Sequence, residues 1–353
     1  MSSLTIRNNE NNQHKLIAYL PSWVYRLVAV EAFCSTNGGK MAESTTNDFL
    51  ILLSDLAAAI GITNQALHKY VKSNGFETLL STNRAYVTAE TARRVMTERG
   101  FQYKQQVVSL QMLKGGVAKT TTAMNIGLRA NMYGTRVLLV DLDQQANLSF
   151  AFGIEDPNAL VWVDVIEGKT PIENTIRKVS PTLHIIPSNL NNSMLDRILL
   201  NGKRNVATGV SQYLSPIRDR YDLIILDTAP NLSAINTAAS CASETVILPV
   251  NPDKFSFAGL TKTLDDLGKI KSEFGGSFEP KILFTKFDGR ETSSHELLKM
   301  CMVNFGSQMM KTFIRTSTEV KNTIRTGKTI FEHKSNAKDD YDLVTRELIG
   351  MTS

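Results

Sequence analysis

Cysteine is scarce in this chain: three residues in 353, Cys34, Cys241 and Cys301, odd in number and far apart. That excludes a disulfide framework, offers no metal-ligand spacing, and points to a reducing compartment. Long apolar runs are missing too. The most hydrophobic early stretch, LIAYLPSWVYRLVAVEAF, is broken by Pro21, Arg26 and Glu31. It reads as an amphipathic helix, not a bilayer span. The polar opening MSSLTIRNNENNQHK carries no secretory signal, so a cytoplasmic protein is expected. A strong charge of one sign is absent as well. The formal net charge of +5 permits an anionic partner such as nucleic acid, but a solvated basic surface is the commoner explanation. A composition with 42% hydrophobic and 21% charged residues excludes a disordered chain, and the length suits two domains.

What is present follows two rhythms. From about residue 107, short apolar runs alternate with helical stretches: VVSLQM (107–112), RVLLVDLD (136–143), LHIIPS (183–188), YDLIILDT (221–228), TVILPV (245–250) and KILFTKF (281–287). Runs so continuous are expected of strands covered on both faces. Their alternation with helices predicts an α/β fold with a mostly parallel, doubly wound sheet, whose ligands bind at the carboxyl ends of the strands. Residues 1–106 lack this rhythm. LSDLAAAIGITNQALHKYVKSNG (53–75) reads as helix, tight turn, helix, with Gly61 as the break and Thr63 or Asn64 as cap. A short hairpin around Asn83-Arg84 and a further helix follow. The pattern predicts a winged helix-turn-helix-like unit with Gln65, His68, Lys69 and Lys72 on its polar side. A plain helical domain with a polar face would read the same way. The boundary is expected near 99–106, giving units 1–106 and 107–353.

The chemistry-bearing segments all fall at predicted strand ends. In MLKGGVAKTTTAMNIG (112–127) a strand runs into a glycine turn and then a helix. The general phosphate-loop pattern would put glycines at Leu113 and Ala118, and neither is glycine. The turn has Gly115 and Gly116 instead, with an additional Lys114 before Lys119. Backbone N–H groups, small glycines and a helix N-terminus still make an anion cradle. Lys119 is then expected at the β/γ-phosphates and the Thr120 hydroxyl on Mg²⁺. Asp141 and Asp143 are separated by one residue and point the same way from a strand end. Such a pair either serves metal and water or caps the next helix. Asp227 closes the apolar run YDLIILDT.

On these residues the sequence resembles the deviant Walker ATPases, the superfamily of ParA and MinD. Their loop K-G-G-x-x-K-[ST]-[ST] stands here as KGGVAKTT, Lys114 to Thr121. The resemblance continues through VDLDQQANLS, where Gln144 replaces a usual proline, and through DTAP, PVNPDKFSFAGL and LFTKFDGR. It implies ATP/ADP and Mg²⁺ as cofactors. Gly115, Gly116, Val117, Ala118 and Thr121 would join Lys119 and Thr120 around the phosphates, and Lys114 would reach across a sandwich homodimer to the partner's phosphates. Asp141 and Asp227 would serve the metal, and Asp143 would orient the attacking water. Pro252, Asp253, Thr285 and Lys286 would lie on the base side.

The resemblance further implies slow ATP hydrolysis stimulated by a ParB-like centromere-binding protein. It also implies ATP-dependent, sequence-independent DNA binding and a nucleoid-associated location. Lys311, Arg315, Lys321, Arg325 and Lys328 recur at helix-like intervals and are DNA candidates, although a solvated face fits too. The helix-turn-helix would add operator binding and autorepression. The rival reading is a nucleotide-switched transcription regulator with no segregation role. A membrane-cycling ATPase is disfavoured by the acidic ending DDYDLVTRELIGMTS, and an iron–sulfur reductase by the lack of paired cysteines.

Overall fold

The computed structural model describes residues 48–81, 84–201, 205–320, 323 and 329–351. The amphipathic helix expected at 16–33 lies outside them. Residues 51–98 contain a three-stranded antiparallel sheet and three helices. The strands are β1 (Ile51–Leu52), β2 (Leu79–Ser81) and β3 (Arg84–Val87), in the order β1-β3-β2. The helices are α1 (Leu53–Ala59), α2 (Asn64–Ser73) and α3 (Ala89–Glu98). Thr63 caps α2 by accepting a hydrogen bond from the Ala66 N–H at 3.2 Å, as the local sequence predicts. Leu67 and Val71 turn α2 inward, while Gln65, His68, Lys69 and Lys72 are exposed on its other side. β2 and β3 pair antiparallel, with Leu79 opposite Tyr86.

The remainder is built on a seven-stranded sheet. Its strands are β4 (Gln106–Leu110), β5 (Val137–Asp141), β6 (Arg177–Lys178), β7 (Leu183–Ile186), β8 (Leu223–Asp227), β9 (Thr245–Val250) and β10 (Glu279–Phe284). The order is β10-β9-β4-β8-β5-β7-β6, parallel throughout except for β6 against β7. All six predicted strands are present. β6 is an unpredicted addition at the edge. Helices cover both faces: α4 (Lys119–Met132), α5 (Asn147–Ala151), α6 (Trp162–Ile166), α7 (Leu195–Asn201), α8 (Ser211–Leu214), α9 (Ala234–Ala242), α10 (Lys254–Phe274), α11 (Thr292–Phe305) and α12 (Asn336–Leu348). No described helix is long and apolar enough to cross a membrane.

The two regions share a core. Leu53, Leu56, Leu67, Val95 and Met96 belong to one buried cluster with Met124, Leu128 and Tyr133 of the α4 segment and Val108 of β4. Polar ties reinforce the seam. The Arg93 guanidinium donates to Asp222 at 2.6 Å and to the Gly134 carbonyl at 2.8 Å. Gly134 has φ +84°, and a side chain there would put Cβ 2.5 Å from the Arg93 nitrogen, so only glycine fits. Within the same seam Arg129, 2% exposed, pairs with Asp342 of α12 at 2.5 Å and with Asp55 of α1 at 3.6 Å.

Candidate functional site

β4 delivers the chain into the turn Lys114–Ala118 and α4 starts at Lys119. Gly116 and Ala118 both have φ of +73°. That conformation is free for glycine and costs an alanine roughly 1–2 kcal/mol, so the surroundings must hold it. A tight turn feeding a helix N-terminus directs unpaired N–H groups and the positive end of the helix dipole to one place. A cavity of about 440 Å³ opens there. Gly115, Gly116, Ala118, Lys119, Thr120 and Thr121 line it from the loop and α4. Asp143, Gln145 and Asn147 come from the segment after β5, and Pro230 from the turn after β8. Thr285 and Lys286 reach it from the end of β10. The Val117 side chain is buried in the cluster between α10 and the sheet, which leaves only its backbone for the turn.

Charge within this site is poorly compensated. Lys119 is 7% exposed, with its ammonium 3.5 Å from the Met112 carbonyl oxygen. Burial pulls its pKa down, against the opposing pull of Asp227 and Asp143. Asp141 and Asp227 are cross-strand partners at the carboxyl ends of β5 and β8, both fully buried. Burial pushes both carboxyls well above the ordinary range, and in Asp227 the neighbouring Asp141 adds to it. Their environments differ in one respect. Asp141 accepts from the Ser149 N–H at 2.9 Å, the Ser149 hydroxyl at 2.7 Å and the Asp143 N–H at 3.2 Å. Neither oxygen of Asp227 makes a well-formed hydrogen bond, although the Thr120 hydroxyl lies near enough to favour its charged form.

The orphaned Asp227 oxygens test the fit of the implied Mg²⁺. A hydrated divalent cation brings both the positive charge and the water donors that this carboxylate lacks. Asp227, with the Thr120 hydroxyl beside it, therefore fits such a cation, whereas Asp141, also expected at the metal, has both oxygens already accepting hydrogen bonds from protein donors. Among the described residues no group of three or more His, Cys, Asp or Glu could hold a metal unaided. The cation would be shared with bound phosphate.

Other expected residues take different places. Lys114 points away from its own cradle and pairs with Asp253 at 2.5 Å and with the Ser256 hydroxyl at 3.2 Å. Asp253 is the N-cap of α10, accepting from the Ser256 N–H at 2.9 Å. Neither it nor Pro252 lines the cavity. The wall beyond Thr285 and Lys286 is made by Ile314, Arg315, Thr316, Ser317, Val320 and Tyr341, which sequence reasoning missed. Arg315 was expected among the DNA contacts. It lines this cavity and is engaged by Asp340, at 2.6 Å through its terminal nitrogen. Lys321, Arg325 and Lys328 lie outside the described residues.

Comparison with known proteins bears on this geometry. Residues 105–279 match the model of the AAA domain family. An uncharacterised protein of Methanocaldococcus jannaschii is 30% identical over 244 residues, 65% of this chain and 92% of that protein. The chromosome-partitioning ATPase Soj of Treponema pallidum is 27% identical over 242 residues, 67% of this chain and 94% of Soj. Among solved structures, a cobyrinic acid a,c-diamide synthase of Mycobacterium smegmatis with a bound ATP analogue and magnesium superposes with a TM-score of 0.61. It is 24% identical, covering 69% of this chain and 94% of that one. That likeness establishes the fold alone.

Proposed function

Because the chain belongs to the ParA/MinD superfamily of P-loop ATPases, we propose that it is a DNA-segregation ATPase. It would bind ATP with Mg²⁺, close into a homodimer, hold DNA without sequence preference and hydrolyse ATP slowly under the stimulus of a ParB-like partner. The observation that carries the reading is the pairing of a glycine turn bearing Lys114 and Lys119 with an unsatisfied Asp227 at the adjacent strand end.

Each residue has a part in that cycle. The turn and the α4 N-terminus hold the β-phosphate through backbone N–H groups, and Lys119 neutralises the β/γ-oxygens. Thr120 and Asp227 would hold Mg²⁺, which when bound would supply positive charge to those oxygens. Asp143 lines the cavity with an oxygen accepting from the Gln145 N–H at 2.9 Å, which orients it to hold a water. Among the described residues no histidine lines the cavity as a general base, in keeping with slow turnover. Lys114 is paired within its own chain. Reaching a partner's phosphates requires exchanging Asp253 for the triphosphate, which ties dimer closure to the nucleotide.

A second reading, a nucleotide-switched transcription regulator, is favoured by the exposed α2 face bearing Gln65, His68, Lys69 and Lys72. On the first reading this unit adds operator binding and autorepression. Steady-state ATP turnover, measured alone, with DNA, and with DNA plus the neighbouring gene's product, separates the two. Stimulation by the partner supports segregation; unchanged turnover alongside tight operator binding supports the regulator. In the same assay Asp143→Ala should bind ATP and dimerise yet lose turnover by at least about 100-fold. Normal hydrolysis by that variant would remove the water-orienting role.

A further inference from the structure

An anion-binding turn needs its N–H groups facing inward, and the carbonyls of the same peptides must then face outward. In this turn the outward carbonyls have specific partners. The Gly116 oxygen accepts from the Lys286 ammonium at 2.6 Å and from the Asn251 side-chain amide at 3.2 Å. The Thr285 hydroxyl, with one hydrogen to give, lies 2.9 Å from the Asn251 side-chain oxygen, 3.2 Å from the Val250 oxygen and 3.3 Å from that of Val117, so its nearest partner is Asn251. All three side chains sit just past the ends of β9 and β10, on the far side of the loop from Asp143 and Asp227. The anchored Gly116 carbonyl lies two residues before Ala118, the residue held left-handed at φ +73°. Lys286 itself is left-handed, with φ +55°, an uncommon state for lysine that persists where surrounding contacts demand it.

We propose that Lys286, with Asn251 and Thr285, is a positioning device for the phosphate loop. Lys286 and Asn251 fix the Gly116 peptide with its oxygen outward, and Thr285 holds the Asn251 side chain in place, so that the cradle is formed before nucleotide arrives. The inference rests on the reading of this loop as the nucleotide site, but gives these side chains a target other than the base. Lys286 acts through the loop and not through direct contact with purine or γ-phosphate. An anchor of this kind raises affinity for any ligand carrying the phosphates the cradle holds. It leaves base preference and the hydrolytic step alone.

The test uses the full-length protein and Lys286→Met, which keeps the stem and removes the donor. Binding of ATP, ADP, GTP and inorganic tripolyphosphate is measured with Mg²⁺ by calorimetry. The expected result is a loss of about 5–10-fold for every ligand by the same factor, the worth of one charge-assisted hydrogen bond. KM for ATP should rise by that factor while kcat at saturation changes less than about twofold. Lys286→Arg, which retains a cationic donor, should recover part of the loss. Asn251→Ala, removing the longer and neutral donor to the same oxygen, should lose less than Lys286→Met but with the same uniform pattern, and serves if the first variant fails to fold. A loss confined to ATP would assign Lys286 to the γ-phosphate, and a loss that spares tripolyphosphate would assign it to the base; either overturns the inference, as does unchanged affinity. Failure of the unmodified protein to bind any of these ligands would instead overturn the nucleotide-site reading itself.

Discussion

The two ends of α4 carry buried charge in opposite conditions. At the amino end Lys119 feels the charges of Asp227 and Asp143, and neither Asp227 oxygen makes a well-formed hydrogen bond. Two turns and more along the same helix, Arg129 is just as buried but is answered. Asp342 accepts from its Nε, Tyr133 from a terminal nitrogen at 3.0 Å, and Asp55 approaches at 3.6 Å. Desolvating charge is costly in both places, and only one of them meets the cost with protein groups. The difference separates a site that expects a ligand from a joint that holds two regions together. α1 is gripped at that joint twice, through Asp55 by Lys338 at 3.0 Å and through the Ala59 carbonyl by Arg346 at 3.3 Å.

The comparison breaks most visibly at the satisfied end. Arg129→Met should destabilise the nucleotide-free protein by about 3 kcal/mol, the low end for stripping one partner from a buried ion pair, because Lys338 and Arg346 still face Asp55 and Asp342. A lower urea midpoint for the first unfolding transition is the readout. An unchanged midpoint would mean that apolar packing alone makes the joint.

Opening the other end should have the opposite sign. Asp227 holds its proton more tightly folded than unfolded, where its pKa is near 3.8. Between that value and the folded pKa the native state binds the extra proton. Stability from this group is therefore full at low pH and is lost as pH rises through the window. Asp227→Asn should stabilise the nucleotide-free protein at pH 8 by at least about 1 kcal/mol, since a tenfold difference in proton affinity between the folded and unfolded states is worth about 1.4 kcal/mol. It should also flatten the decline of stability between pH 5 and 8, and it should abolish the further stabilisation that Mg²⁺ adds to bound ATP. Thermal melts across pH, with and without MgATP, check all three. A less stable variant at pH 8 would show that the buried carboxylate is compensated after all.

How much of this was legible beforehand follows the same division. The six long strands were readable because each is apolar on both faces, and the loop because Lys114, two glycines and Lys119–Thr120 stand together in sequence. β6 was not, being two charged residues whose only strand signal is the neighbour they pair with. Lys114 is legible as part of the loop, yet its partner Asp253 lies 139 residues away, and nothing local announces the pair. Arg315 looked like one of a basic series. Its engagement with Asp340, and its place in the cavity wall, come from α12 folding back beside the end of β10. The helix breaks and caps within residues 53–98 were recognisable, whereas the packing of this region on the sheet depends on contacts such as Arg93 with Asp222, 129 residues apart.

The mildest test concerns redundancy within the joint. Asp222 is nearly buried and accepts from two arginines: Arg93 at 2.6 Å, and Arg136 at 2.7 Å with a further bond from the Arg136 backbone N–H at 2.8 Å. Burial alone would raise its pKa, but the hydrogen bonds from Arg136 and Arg93 carry it below the usual carboxylate value. Its contribution is therefore present above pH 4 and is lost as pH falls through the folded pKa. Arg136 is more than a third exposed, so Arg136→Gln should cost only about 0.5–1 kcal/mol at pH 7. The penalty should shrink in acid, once the carboxylate is protonated and neither arginine has a charge to meet. A penalty that stayed constant down to pH 3 would locate the effect of Arg136 in packing and not in its charge.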